Sequence, residues 1–272
     1  MNLKILTIAI ALSTTLSATA QKKGKVKTKR PTTTAVESPG LKLYKSMIPS
    51  TAKLMFVDSV VVDKKEFLSQ IPLISEAGKL TMRDAHHSQY LNEFGDRWIF
   101  AHGDSTSSAL YSADKLADKW SSPTPLFKKS EGVERANYPF LMADGVTLYF
   151  AAQGENSMGG YDIFMSTFDL DNGVFYSPEN IGLPYNSTAN DYLLAIDDIN
   201  HLGWLVTDRR QPEDKVCIYT FVPTASRQGF EDTNLTDREI ERYSRILSIS
   251  DTWKFGNRKA ALAKLSDIKK RI

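Results

Sequence analysis

The residues able to do chemistry are few, and their spacing suits little of it. The histidines are His86, His87, His102 and His201, and the single cysteine is Cys217. Zinc needs three or four converging ligands, and no His-x-x-His, His-Glu-x-x-His or cysteine pair supplies them, so no metal or other cofactor is expected. Gly154-Glu-Asn-Ser-Met-Gly159 is one residue too long for a nucleophile elbow. Ser157 also falls between strands, where that motif needs a strand-to-helix turn. Two carboxylates can hydrolyse glycosides, and Asp144, Asp162, Asp197, Asp198 and Asp208 are the candidates. Each falls in a turn or at a strand end. Asp144 before Gly145 reads as hairpin chemistry, and Asp162 is expected to cap a loop by accepting backbone N–H bonds. Cys217 lies in an apolar strand and reads as a buried, inert thiol. No catalytic set is expected. Binding is better supplied, because Tyr138, Tyr149, Tyr161, Tyr176, Tyr185, Tyr192, Trp204 and Tyr219 offer rings for a carbohydrate or peptide platform. The ligand-binding candidates are Tyr161, Asp162, Trp204, Asp208 and Arg209, with most other rings assigned to packing between sheets.

The elements that must position these residues are short strands. From Tyr138 to Asn190 the chain holds three apolar or aromatic runs, each closed by Gly, Pro, Asn or Asp, which is the pattern of successive antiparallel strands. This stretch has neighbours like itself. Trp98-Ile-Phe-Ala matches Leu148-Tyr-Phe-Ala at an offset of 50, and Trp120-Ser-Ser-Pro matches Phe175-Tyr-Ser-Pro at an offset of 55. Ala109-Leu-Tyr-Ser likewise matches Asp162-Ile-Phe-Met-Ser. A third copy begins at Asp191-Tyr-Leu-Leu-Ala-Ile-Asp, offset by 54 from Asn137-Tyr-Pro-Phe-Leu-Met-Ala-Asp, and Lys215-Val-Cys-Ile-Tyr-Thr-Phe-Val takes the place of Tyr161-Asp-Ile-Phe-Met-Ser. Four short strands repeated at this period are what a β-propeller blade requires, since a lone four-stranded sheet cannot bury both faces until neighbours stack on it. The expected fold is all-β and β-propeller-like, with three clear four-stranded blades and a C-terminal α-helical extension. The strand-like run Leu54-Met-Phe-Val-Asp-Ser-Val-Val-Val-Asp leaves open a fourth blade, a strand that closes the last sheet, or an open ring.

Three motifs carry a resemblance. Tyr-Pro-x-Leu-x-Ala-Asp-Gly-x-Thr-Leu-Tyr-Phe-Ala, Gly-Gly-Tyr-Asp-Ile-Phe-x-Ser and Ser-Pro-Glu-Asn-Ile-Gly-x-Pro-x-Asn resemble the WD-like, TolB-like propeller repeat of exported envelope proteins in Bacteroidetes-type bacteria. The resemblance spans about residues 92–223 and is sharpest in the middle copy. The first copy lacks the Gly-Gly-Tyr-Asp loop, and the third replaces Asp-Gly by Asp198-Ile-Asn. It implies a propeller used for binding or scaffolding and names no ligand.

The ends differ in character. Lys4, the apolar run Ile5 to Leu12 and Ala18-Thr-Ala read as a secretory signal peptide over 1–20, with no transmembrane anchor once it is cleaved. One cysteine permits no internal disulfide. Lys22, Lys23, Lys25, Lys27, Lys29 and Arg30 open a basic, disordered linker over 21–50. Without Lys4 and these six, 27 basic residues face 32 acidic ones, a net charge of −5, which argues against nucleic acid as a partner. The propeller-like domain is expected over 51–223, with repeats at about 92–136, 137–190 and 191–223. A helical segment follows over 224–272, where Thr236 and Glu239 form a capping pattern and Ala261, Leu262, Leu265 and Ile268 make an apolar stripe. The combined expectation is an exported, non-catalytic binding or scaffolding protein, periplasmic, outer-membrane associated or secreted, whose partner is an envelope protein or a cell-wall or glycan polymer. The alternative is a propeller hydrolase or glycan-active enzyme using paired carboxylates.

Overall fold

In the computed structural model the described residues run from Glu37 to Ile272, apart from 105, 129 and 130. The expected signal peptide and the basic run lie outside the described residues. The last part of the expected linker is folded. Pro39–Met47 form helix α1, started by Ser38, whose hydroxyl accepts from the Leu41 N–H at 3.3 Å, and by a proline at the first helical position. Tyr44 and Ile48 are buried against Leu183, Phe230 and Ile240. The linker reading followed the composition upstream, and the apolar stripe of α1 overrides it.

Strand β1 (Met55–Asp63) comes next, then 3-10 turns at Phe67–Gln70 and Ser75–Ala77. The first sheet holds β2 (Lys79–Met82), β3 (Ser88–Leu91), β4 (Arg97–Gly103), β5 (Ser108–Leu116) and β6 (Lys119–Trp120) in that order, with β7 (Thr124–Pro125) also on β5. The second sheet holds β8 (Val133–Leu141), β9 (Thr147–Gly154), β10 (Asp162–Asp169), β11 (Val174–Phe175) and β12 (Glu179–Asn180), the last two both on β10. The third holds β13 (Asp191–Asp197), β14 (Leu202–Thr207) and β15 (Lys215–Val222), and β1 supplies its fourth strand by pairing antiparallel with β15. The first sheet thus starts before residue 92, because β2 and β3 precede it, and the run at 54–63 completes the last sheet. The protein is mostly β, with three antiparallel sheets among the described residues, and closure into a full propeller is not observed.

Alternation along the strands decides how the sheets stack. On β9, Leu148, Phe150 and Ala152 point to one side and Ala151 to the other, and on β10 Phe164 and Ile163 divide in the same way. The first set meets Tyr90, Ile99, Ala101 and Leu110 of the first sheet; the second meets Leu194, Leu205, Tyr219 and Phe221 of the third. The middle sheet is therefore buried on both faces. The far face of the third sheet, with Trp204, Val206, Val216 and Ile218, is covered by the Phe67–Ala77 segment and by helix α3. Helices α2 (Asp237–Ser244) and α3 (Arg258–Arg271) stand where the sequence pattern put them. Glu239 accepts from the Thr236 N–H at 2.8 Å, and Ala261, Leu265 and Ile268 form the buried stripe of α3. Among the described residues no helix is long and apolar enough to cross a membrane.

Candidate functional site

The site begins with a break in a strand. Pro139 has no N–H for the β8–β9 ladder, and pairing shifts register on both sides of Asn137. Arg135 and Tyr138 consequently adopt left-handed backbone, with φ of +47° and +51°. Such a conformation costs a residue with a Cβ about 1–2 kcal/mol, and Tyr138 bears it directly before a proline. The cost is offset by a buried network around Asn137. Its Oδ1 accepts from the Ser88 N–H at 3.0 Å, the Ser88 hydroxyl at 2.9 Å and the Tyr138 N–H at 2.9 Å, while its Nδ2 donates to the His86 carbonyl at 2.8 Å. One amide ties the first sheet to the second and holds the strained backbone.

That backbone turns side chains toward one another. Tyr138 packs edgewise against Tyr161 and Tyr192 at 6.3 and 5.9 Å between ring centroids, Tyr161 and Tyr192 lie tilted at 5.8 Å, and Phe67 lies 5.3 Å from Tyr138. The Arg135 guanidinium sits 5.4 Å over the Tyr161 ring and the Lys64 ammonium 5.3 Å over the Tyr192 ring. Beside Tyr138 and Tyr161 a cavity of 240 Å³ opens, lined also by His86, His87, Asp104 and Arg135. Burial pushes the Tyr138 phenol up to about 12, and burial raises the Tyr161 phenol despite the nearby Arg135. Both phenols stay protonated at neutral pH. Asp104 accepts from the N–H groups of Thr106 and Ser107, and Asp84 from those of His86 and His87, so these carboxylates serve their own turns. Arg135 and the two phenols make this rim rich in donors.

The five sequence candidates separate. Tyr161 lines the cavity. Asp208 lies on the far side of the aromatic cluster, accepting from the Tyr192 hydroxyl at 2.8 Å and from Lys64 at 3.0 Å. Burial works against its charge, but bonds from the Asn190 backbone, Lys64 and Tyr192 prevail and hold the carboxyl below its usual range. Asp162, Trp204 and Arg209 are internal. Asp162 accepts from the Met158 N–H at 2.8 Å and from Asn180 Nδ2 at 2.7 Å, the loop-capping role its sequence position suggested. Trp204 is fully buried beneath α3. Arg209 is buried in an ion pair with Asp191 at 2.6 Å and donates to the carbonyls of Pro184 and Tyr185. The physical reason is position: all three lie on strands or turns that face the next layer. Of the other acidic candidates, Asp144 is occupied by the Val146 and Thr147 N–H groups and Asp197 by the Asn200 N–H, whereas Asp198 is exposed. Cys217 is buried and unpaired with another cysteine.

Sequence reasoning missed Arg135, Asn137, Lys64 and Phe67, and weighed His86 only as a metal ligand. The dipeptide Tyr138-Pro139 inside a strand run was the readable signal for the first two. Lys64 and Phe67 come from a segment whose approach is tertiary and left no local mark. Among the described residues, no group of three or more His, Cys, Asp or Glu side chains is placed to hold a metal ion. A larger cleft of 560 Å³ between the second and third sheets contains Tyr149, Tyr185 and Arg227, but the guanidinium is bound by the carbonyls of Ser50, Ile181 and Leu183. Comparison with known proteins gives no match: no family model, curated protein or solved structure aligns significantly with the chain.

Proposed function

We propose that the chain is an exported, non-catalytic binding or scaffolding protein of the cell envelope, whose three sheets are blades of a partial TolB-like propeller. Its ligand is an acceptor-rich envelope polymer, a cell-wall glycan or peptide that carries carboxylates. The observation that carries this reading is the strained rim: Arg135 and Tyr138, both at positive φ, border one cavity with Tyr161. Backbone strain concentrates where a binding geometry must be fixed in advance. The groups it presents are a cation, two neutral phenols and aromatic faces, which recognise acceptors and sugar rings. They include no activated nucleophile and no carboxylate free of its own turn. The leader-like residues 1–20 and the repeat motifs support the envelope assignment.

Calorimetric titration of the full chain with soluble peptidoglycan fragments tests the reading. Saturable binding is expected, and Tyr161→Ala and Arg135→Ala should each weaken it tenfold or more, about 1.4 kcal/mol, with unchanged circular dichroism. Absence of binding to any fragment, or binding indifferent to both substitutions, would remove the proposal.

A further inference from the structure

Strand β1 lies at the edge of the third sheet, with β15 on one side and no strand on the other among the described residues. The protein covers only its beginning. The Phe56 N–H donates to Thr252 Oγ1 at 2.9 Å, Trp253 Nε1 donates to the Phe56 carbonyl at 3.1 Å, and Arg258 Nε to the Val57 carbonyl at 2.9 Å. Past Val57 this cover ends, and Val60 and Val61 are 49% and 52% exposed. A long apolar edge is ordinarily blunted by proline, an inward charge or a bulge, because unpaired strand edges template further pairing. Here the bulge comes earlier, between Phe56 and Asp58, and leaves Ser59–Asp63 straight and open.

The hydrogen-bond phase of β1 shows which groups are free. Bonded and non-bonded pairs alternate along an antiparallel ladder. The Lys64 N–H bonds the Asp214 carbonyl at 2.9 Å, and the register continues through Val62↔Val216, Val60↔Ile218 and Asp58↔Thr220. Asp58, Val60, Val62 and Lys64 therefore turn their main-chain groups toward β15. Ser59, Val61 and Asp63 turn theirs outward.

We propose that β1 is a self-pairing edge, joining two copies of this chain through an antiparallel β1–β1 contact with Val61 on the two-fold axis. In that register Val61 meets Val61, and Ser59 meets Asp63 in both directions, so every outward N–H and C=O of the three residues finds a partner. A register one residue away would place inward-turned groups opposite outward ones. A shift of two residues satisfies fewer groups. The chosen register also puts Val60 of each copy against Val62 of the other, joining apolar to apolar across the seam, while Lys64 keeps Asp208 as its partner. Asp63 is already neutralised by Lys215. The two third sheets become one continuous eight-stranded sheet, and the contact is isologous, as a two-fold requires.

Sedimentation equilibrium of the full chain over a concentration series, with a cysteine cross-linking pair, tests this. A concentration-dependent dimer is expected. Val61→Cys should give an interchain disulfide on mild oxidation, since directly opposed residues lie within disulfide reach. Ser59→Cys should not, because position 59 of the second copy is then four residues distant along the seam. Val61→Lys and Val61→Pro, both at an exposed outward position, should each weaken dimerisation tenfold or more with unchanged circular dichroism. A chain that stays monomeric throughout, cross-linking through Ser59→Cys as efficient as through Val61→Cys, or capture of another protein's strand with no self-association would overturn the proposal.

Discussion

Asp162 illustrates how a residue chosen for chemistry turns out to do structural work with a chemical signature. Its carboxyl is pushed up to about 7, chiefly by burial and then by the neighbouring Asp191 carboxylate, against the bonds from Met158, Asn180 and Gly159. Asp191 keeps Arg209 as its ion-pair partner. A raised pKa in an acid means that, between about pH 4 and 7, the unfolded chain has lost a proton that the folded chain retains. Stability from this group is then fully present below about pH 4, falls as pH rises, and levels off above about pH 7. Over that span the effect is on the order of 4 kcal/mol, which for a domain of this size corresponds to roughly 8–16 °C in Tm. Asp162→Asn cannot titrate but keeps an acceptor for the loop. Thermal melts of both proteins from pH 5 to 8 should show the wild type losing stability relative to the variant as pH rises. A constant difference across the range would mean that Asp162 does not carry a proton in the fold.

At the scale of elements, the seam between the first and second sheets depends on Asn137 more than on any single apolar contact. Its amide satisfies two groups of Ser88, one of Tyr138 and one of His86. Asn137→Ala leaves several of these unpaired in a buried place, at about 1–3 kcal/mol each where water cannot enter. Urea unfolding of Asn137→Ala should show a loss of about 3 kcal/mol, and a loss below 0.5 kcal/mol, the usual size for a surface change, would show that the network is dispensable. This seam also marks where sequence reading stops. The Asp144-Gly145 hairpin, with Gly145 at φ +68°, was legible because the turn chemistry is local. The Thr236–Glu239 cap and the stripe of α3 were legible for the same reason. Asn137 was readable only as the start of a strand, since its partners lie about 50 positions away and no spacing rule joins them. Trp204 was misplaced because a tryptophan near a loop signals equally a platform and a core, and only the position of α3 decides between them.

Among the described residues the outer faces of the sheets are unequally covered. Behind the third sheet lie α3 and the Phe67–Ala77 segment, whereas among the described residues no element lies on the outer face of the first sheet. Its outer face carries Trp98, Phe100, His102 and Tyr111, which the β4–β5 register sets side by side. Phe100 is only 4% exposed because its neighbours close over it: Trp98 stacks on it at 4.1 Å, Tyr111 lies 6.0 Å away and the Arg83 guanidinium sits 4.6 Å above. Trp98 Nε1 donates to Gln89 at 3.0 Å, which satisfies the ladder's polar end. The first sheet thus covers its own face with side chains. Side-chain cover shields backbone less than a packed layer does, so local opening should cost less there than in the middle sheet. Hydrogen exchange read by mass spectrometry should therefore rank β9, β13 and β14 as slowest and β4 and β5 as faster. Trp98→Ala should widen that gap by uncovering Phe100, with little change at β13 and β14. Equal protection of β4 and β9 in the wild type would mean that another layer lies on the outer face.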